Sequence, residues 1–331
     1  MKRDLSRRTP ATLALLLTLA AQSGVVCSQD AKDACLEERM RTAPDTMTLG
    51  EVRRDCVVSQ PASGPTPRSV MGDRRAFERA SWNNPFVLTA HRPNYVLPLT
   101  WVRLPAREDG TGRHDFELQF QLSQKVLLAE GAIAGHGALY VAYTNRSFWQ
   151  AYSRDRSAPF RETIHEPELI LSFDSDWSGF GIRMTGYQLV LNHQSNGRGG
   201  ADSRSWHRVI LNALFEKDAF VFALRPWWRI PEDEKSSAGD AVGDDNPDIE
   251  RYYGQMEVSG AWMRGTNLYS FTLRNNLRSD SRGSIELGWS FPVYRSIRAS
   301  VHYFSGYGES LINYNRSSQS LGLGFLFTDW L

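Results

Sequence analysis

The sequence predicts an all-β protein: a twelve-stranded antiparallel transmembrane β-barrel with an N-terminal periplasmic extension. Three observations lead to this prediction. The chain of 331 residues begins with a secretory-type segment, no later apolar run approaches the roughly 18 residues of a membrane-spanning helix, and apolar and polar side chains alternate from about residue 92 onward. Alternation places the apolar side chains of a strand on one face, which is the pattern of a barrel wall in lipid.

Residues 1–28 have the composition of a signal peptide. Basic residues precede an apolar core at 11–21, and small residues follow near positions 26–28. This core is too short to cross a bilayer as a helix, so the mature chain is expected to begin near Gln29 and to lie outside the cytosol. A lipoprotein signal that ends at Cys27 is the alternative, although the residues before this cysteine match the usual pattern poorly.

Residues 29–82 are predicted to form a periplasmic extension. They show no sustained periodicity, and the stretch 59–69 has the Pro- and Ser-rich composition of a flexible linker. Cys35 and Cys56 could form a disulfide in the oxidising periplasm, and two free thiols are the alternative.

Residues 83–331 are predicted to form the barrel domain. Every second residue is apolar in the run Phe116–Ser123, and similar runs recur down to Leu321–Phe327. About twelve such runs can be counted. An even number of antiparallel strands can close on itself, which leaves no unpaired strand edge in lipid. Aromatic residues gather at the predicted strand ends, as in interfacial girdles.

Two other classes of protein fit the sequence less well. A soluble β-sandwich also has alternating strands, but the signal segment, the girdles and the aromatic-rich last strand favour the membrane. The formal net charge is +1, so no extended basic field indicates a nucleic-acid partner.

The predicted strand 187–195 breaks the rule of alternation. Its odd-numbered residues are apolar up to Leu191, yet His193 and Ser195 continue the same lipid-facing register. The next predicted strand repeats the anomaly with Ser205 and His207. If residues 196–204 form the hairpin loop, a symmetric register pairs Ser195 with Ser205 and His193 with His207. Directly opposed residues have Cβ atoms about 4.5–5.5 Å apart.

These side chains have the chemistry of a catalytic triad on the outer face of the barrel. A serine hydroxyl becomes a useful nucleophile when a base takes its proton, and the base needs a third group that fixes its tautomer. Ser195 would be the nucleophile and His193 the base, and His207 could accept the other ring N–H of His193. The alternative is a polar strand end that rises out of the membrane, where alternation loses its meaning.

Several segments resemble the outer-membrane phospholipase A family. They are Asn192–Arg198 with Ser203–Trp206, Ser157–Thr163 with Glu166–Pro167, Asp244–Ile249, and Ser305–Ile312. The resemblance runs from about Asn84 to the C-terminus in the same order and with near-identical spacing. It does not cover residues 29–80.

The resemblance implies a twelve-stranded barrel in the outer membrane that hydrolyses phospholipid acyl esters, with phospholipase A1/A2 and lysophospholipase activity. It also implies dependence on calcium and activation as a homodimer on membrane phospholipids. Ser195 would be the nucleophile and His193 the base. The family usually has asparagine at the position of His207. An asparagine always accepts a hydrogen bond from the base, whereas a histidine does so in one tautomer only.

The resemblance also implies a calcium site beside the triad. The main-chain oxygen of Arg198 and the hydroxyl of Ser203 would bind the ion together with Ser157 of the partner subunit. Asp245 is a further candidate ligand, because it matches one acid of a second calcium site in the family. The other acidic position of that site is Gly200 in this chain, so the second site is expected to be weakened. A turn or cap role is the alternative for Asp245.

One residue bears on dimer contact. Asn145 continues the lipid face of its strand, where a polar side chain seeks a partner. The family has an amide side chain here that meets its symmetry mate, and an ordinary interfacial asparagine is the alternative.

Two other functions compete with the phospholipase: a non-enzymatic pore or structural barrel with a decayed site, and a soluble secreted lipase.

Overall fold

The computed structural model describes residues 37–38, 40–41, 69–81, 88–104, 113–153, 159–237, 240 and 242–328. The chain divides into two compact units, Met1–Thr66 and Pro67–Leu331. In the first unit, the described residues 37–38 and 40–41 are helical. The signal segment, Cys35, Cys56 and Ser157 lie outside the described residues, so the expectations for them stay predictions, as does the division of the chain at residue 82.

The second unit consists almost entirely of strands. The α-helices among its described residues are α1 (Val70–Ser81) and α2 (Glu250–Tyr253). The strands are β1 (Thr89–Ala90), β2 (Asn94–Leu104), β3 (Arg113–Ile133), β4 (His136–Trp149), β5 (Phe160–Asp174), β6 (Ser178–Gly179), β7 (Ile182–Ser195), β8 (Ser205–Lys217), β9 (Phe220–Ile230), β10 (Met256–Arg264), β11 (Asn267–Asn275), β12 (Gly283–Tyr294), β13 (Ile297–Tyr307) and β14 (Ser317–Thr328).

Twelve long strands form one closed antiparallel barrel. Each long strand pairs with the next one along the chain, and the last strand, β14, pairs with β2. The two-residue strands β1 and β6 add to β3 and β7. This closure confirms the predicted fold and leaves no long strand with an unpaired edge. Among the described residues, no helix has the length and apolar character needed to span a bilayer.

The barrel is apolar outside and polar inside. On β7, Tyr187, Leu189 and Leu191 are 40%, 46% and 50% exposed, whereas Val190 and Asn192 are buried. A period of two recurs along the other long strands, with local register shifts such as that between Leu97 and Thr100 on β2, because successive side chains of a strand point to opposite faces. The outward positions of β7 and β8 are therefore the positions that the sequence assigned to lipid.

Charged side chains fill the lumen. Arg92 donates hydrogen bonds to Glu166 at 2.8 Å and to Glu168 at 3.0 Å. His91 lies 2.7 Å from Glu168, and Arg208 donates to Glu166 at 3.3 Å. Buried charges are tolerated when they are paired and hydrogen-bonded in this way. The network links residues 91–92 to β5 and β8 on the lumenal side of the barrel.

Helix α1 lies at the end of the barrel opposite to Ser195. Arg75 and Arg79 pair with Asp174 at the end of β5, at 2.7 and 2.5 Å. Glu78 accepts a hydrogen bond of 2.9 Å from Lys125, which points into the lumen. These contacts hold α1 at this end of the barrel, next to side chains that line the lumen.

The purified protein is expected to show no steady single-channel conductance in planar bilayers, because α1 lies at one end of the barrel and paired charged side chains occupy the lumen. Replacing both Arg75 and Arg79 by alanine removes the pairs to Asp174 and is expected to produce brief openings. Conductance traces of the two proteins at the same voltage check this. A steady open channel in the unmodified protein would contradict the expectation.

Candidate active site

The hairpin of β7 and β8 carries the candidate catalytic residues. Its register pairs His193 with His207 and Ser195 with Ser205, as the symmetric loop predicts. All four side chains are half-buried on the outer face of the barrel. Their position follows from strand geometry alone, since residues two apart on one strand share a face.

The two histidine rings are in direct contact. Nδ1 of His193 lies 3.2 Å from Nδ1 of His207, and the ring centroids are 4.5 Å apart. A hydrogen bond forms between these nitrogens when one carries a hydrogen and donates it and the other accepts it. The contact uses Nδ1 of His193 and leaves Nε2 of this ring for a second partner, which is the division of roles that a catalytic base requires.

The loop after Ser195 is organised by Asn196. Its side-chain oxygen accepts hydrogen bonds from the main-chain N–H groups of Arg198 at 3.2 Å and Arg204 at 3.0 Å. Its side-chain nitrogen donates to Glu162 at 3.2 Å, and Gly197 has φ +64°, which allows the tight turn that follows the serine. The loop is therefore held in one shape beside Ser195 by a buried amide.

Asp245 joins this loop to the long connection between β9 and β10. Its carboxylate accepts hydrogen bonds from Ser203 at 2.8 Å and Ser205 at 2.9 Å, and it forms an ion pair with Lys235. Burial raises the pKa of Asp245, but the hydrogen bonds from Lys235, Ser203 and Ser205 outweigh burial and hold this pKa below its ordinary value. The residue is therefore an anion that orients two hydroxyl groups.

The predicted calcium ligands can be tested for chemical fit. Ser203 donates its hydroxyl hydrogen to Asp245, so both lone pairs of its oxygen remain free for a cation. Hydroxyl and main-chain oxygens are hard ligands of the kind that calcium prefers. Within the described part of the chain, no group of three or more His, Cys, Asp or Glu side chains could hold a metal ion. The hydroxyl of Ser203 and the main-chain oxygen of Arg198 therefore have the chemistry of calcium ligands, while Ser157 lies outside the described residues.

The guanidinium group of Arg198 points toward the start of β5. It donates hydrogen bonds to the main-chain oxygens of Arg161 at 2.5 Å and Phe160 at 3.3 Å. The side chain of this candidate ligand thus holds the loop against β5.

His165 is a neighbour of the site that the sequence argument missed. It lies directly opposite Ser195 in the pairing of β5 with β7, and its Nδ1 is 2.6 Å from the hydroxyl of Tyr143. Asn145 lies opposite His165 on β4, so Asn145, His165 and Ser195 lie in one row across three strands. The sequence pattern could have identified this residue, because His165 is an odd-numbered polar residue on the lipid-facing register of β5.

Residues on the lumenal side of β7 brace the catalytic strand. Asn192 donates to Glu166 at 2.7 Å, and Gln194 donates to the same carboxylate at 3.3 Å. The indole N–H of Trp206 in turn donates to Gln194 at 2.8 Å. His193 is therefore flanked on its own strand by two side chains that are anchored in the polar lumen.

Proteins that are similar to this chain in sequence include phospholipases A1. Residues 71–327 match the family model described as Phospholipase A1. Phospholipase A1 of Klebsiella pneumoniae is 32% identical over 280 residues, which are 82% of this chain and 93% of that protein. Phospholipase A1 of Escherichia coli (strain K12) is 31% identical over 252 residues, which are 75% of this chain and 83% of that protein.

Two solved structures of outer membrane phospholipases have the same fold as this chain. Outer membrane phospholipase A from Escherichia coli superposes with a TM-score of 0.66 at 30% identity, over 75% of this chain and 95% of that one. The outer membrane phospholipase of Salmonella typhi, solved as a dimer with bound calcium, gives a TM-score of 0.65 at 31% identity, over 74% of this chain and 94% of that one. The predicted outer-membrane location is confirmed, and a non-enzymatic barrel is not favoured. The chain belongs to the phospholipase A1 family.

Proposed function

We propose that this protein is a serine esterase that hydrolyses the acyl ester bonds of phospholipids, with Ser195 as nucleophile, His193 as base and His207 as acceptor for the base. The observation that carries the proposal is the contact between the two imidazole rings, 3.2 Å from Nδ1 to Nδ1, beside Ser195 on the outer face of the barrel. The family assignment supports the substrate class.

The residues suggest the following sequence of steps. Nε2 of His193 takes the proton of the Ser195 hydroxyl while Oγ bonds to the ester carbonyl carbon. The tetrahedral intermediate collapses, the bond to the alcohol breaks, and His193 returns the proton to the departing lysophospholipid. Water then attacks the acyl-serine with the help of the same base, which releases the fatty acid. His207 accepts the Nδ1–H of His193 throughout.

The position of the site on the outer face explains access to lipid. Acyl chains in the outer leaflet can lie along the exposed side chains of Leu189, Leu191 and Leu211. The headgroup end of the same lipid would then reach the rim of the barrel, where Ser195 lies. A lumenal site would force a lipid through charged walls, which is unfavourable.

We further propose that calcium and a second copy of the chain complete the site. The main-chain oxygen of Arg198 and the hydroxyl of Ser203 would bind calcium together with Ser157 of the partner subunit. Asp245 would act behind this site by orienting Ser203. When bound, calcium would supply positive charge that stabilises the oxyanion. The calcium-bound dimer of the Salmonella typhi protein supports both proposals, and Asn145 is the proposed dimer contact.

Targeting forms part of the same proposal. Residues 1–28 would direct export and be removed, and residues 29–82 would remain as the periplasmic extension of the mature protein. The proposal rests on the basic and apolar pattern of the first segment.

The test is hydrolysis of phospholipid in mixed micelles by the purified protein, with calcium and with a chelator. Hydrolysis is expected with calcium and is expected to be lost on chelation, and chemical cross-linking of the same samples reports the dimer. A His207→Asn variant is expected to keep hydrolysis, because an amide oxygen accepts the hydrogen bond from His193. A His207→Phe variant keeps the ring shape without an acceptor and is expected to lose about tenfold or more. Equal rates with and without calcium would remove the ion from the mechanism.

A further inference from the structure

Glu232 lies just beyond the end of β9, on the side of the barrel that carries His207. The pairing of β8 with β9 places His207 opposite Ile230, the last residue of β9, and Glu232 follows two residues later. Diagonal neighbours on adjacent strands are about 7–8 Å apart and remain within reach of long side chains. The carboxylate of Glu232 can therefore approach the ring of His207.

One carboxylate oxygen of Glu232, Oε1, is buried and has no hydrogen-bond partner among the described residues. A buried acceptor without a donor is destabilising, so it calls for a functional explanation. Burial raises the pKa of Glu232, and the imidazole of His207 is the largest influence that opposes this effect. Glu232 therefore has an unpaired acceptor oxygen and is close enough to His207 for the imidazole to affect its pKa.

The other charged groups around Glu232 form ion pairs of their own, and two of them carry the same charge as Glu232. Arg229 pairs with Asp244 at 2.5 Å, and Asp245 pairs with Lys235. Asp244 and Asp245 raise the pKa of Glu232 because they carry the same charge. Two of these neighbours have a donor to offer: Nε of Arg229, which is also buried without a partner among the described residues, and the imidazole of His207, which has the larger effect on Glu232.

The proposed mechanism requires one tautomer of His207. Its Nδ1 faces Nδ1 of His193, 3.2 Å away. His193 can act as a base toward Ser195 only if its own hydrogen is on Nδ1, so Nδ1 of His207 must accept and the hydrogen of His207 must be on Nε2. In the opposite tautomer, His193 would carry its hydrogen on the nitrogen that should receive the serine proton.

We infer that Glu232 is a positioning residue whose carboxylate accepts the Nε2–H of His207 and so keeps His207 in the tautomer that serves His193. The inference rests on the proposed function. The catalytic hydrogen-bond chain would then run from Ser195 through His193 and His207 to Glu232. The unpaired oxygen of Glu232 would have a donor in this arrangement. A chain with asparagine in place of His207 would have no need of this carboxylate, because an amide has no tautomer to fix.

A double-mutant cycle tests this inference through hydrolysis rates. Glu232→Ala is expected to lower kcat about tenfold with KM unchanged in the His207 protein. In the His207→Asn protein, the same change is expected to leave kcat unaltered. Glu232→Gln keeps an acceptor oxygen and should retain most of the activity. Glu234→Ala, an exposed glutamate in the same connection, is the matched control and should have no effect.

A second measurement does not depend on activity. Ring ¹⁵N chemical shifts of labelled histidine are expected to show His207 protonated on Nε2 in the unmodified protein, and a mixture of tautomers in Glu232→Ala. An unchanged kcat in Glu232→Ala would overturn the inference. Equal losses in the His207 and His207→Asn proteins would also overturn it, because they indicate a structural role. The proposed function fails separately, if Ser195→Ala still hydrolyses phospholipid.

Discussion

Replacing Ser195 by alanine is expected to abolish phospholipid hydrolysis and to leave the barrel folded. The change removes only the hydroxyl oxygen of a half-buried side chain at the end of β7. No lumenal hydrogen bond is lost, so stability should change little. The rate should fall at least about 1,000-fold, because loss of a nucleophile removes the whole covalent route.

Initial rates of fatty-acid release from mixed micelles, with calcium present, measure this effect. Ser172→Ala is a matched control, because Ser172 is a serine of β5 on the lumenal side that accepts a hydrogen bond from Gln188 at 3.3 Å. The control should hydrolyse lipid at the normal rate, and both variants should show the same heat-dependent migration in gels. Full activity in Ser195→Ala would place the chemistry elsewhere in the protein.

Neutralising Glu166 by Glu166→Gln is expected to destabilise the barrel and to reduce activity as well. Its carboxylate accepts hydrogen bonds from Arg92, Arg208, Asn192 and Gln194. The side chain is only 6% exposed, so Arg208 would lose its carboxylate partner in the lumen and Arg92 would keep only Glu168. Breaking a buried ion pair of this kind costs about 3–5 kcal/mol.

Urea unfolding of the protein in lipid vesicles, followed by tryptophan fluorescence, measures the loss of stability. Glu130→Gln is the control, because Glu130 is an exposed glutamate of β3 and should leave the unfolding midpoint unchanged. Hydrolysis should fall in Glu166→Gln even where the barrel remains folded, since Asn192 and Gln194 flank His193 on β7. An unchanged midpoint would show that the arginines find other partners.

The sequence predicted the fold because barrel strands repeat one local rule. Alternation with a period of two depends only on neighbours along the chain, and it identified the strands and their lipid-facing residues. The contact of His193 with His207 was predictable for the same reason. These residues lie on consecutive strands joined by a short loop, and a symmetric hairpin has a single simple register.

Other parts of the site depend on strands that are distant in the sequence. Glu166 meets Arg92 across 74 positions, and Ser203 meets Asp245 across 42. Neither contact follows from alternation, because a lumenal side chain can reach several strands and a loop can fold over any part of the rim. His165 stands at an odd-numbered, lipid-facing position, but its place opposite Ser195 depends on the register between β5 and β7, and the pairing of β6 with β7 near the turn is offset from that register by one residue.

The sequence by itself determined the closed barrel, its apolar outer face and the pairing of His193 with His207, because each follows from short-range periodicity and one hairpin. Only the tertiary structure decided what surrounds these rings. It placed His165 opposite Ser195, paired Ser203 with Asp245 and put Glu232 two residues beyond Ile230, the residue opposite His207. Such contacts depend on closure of the whole sheet and on side-chain packing at its rim, and a local pattern contains no information about either.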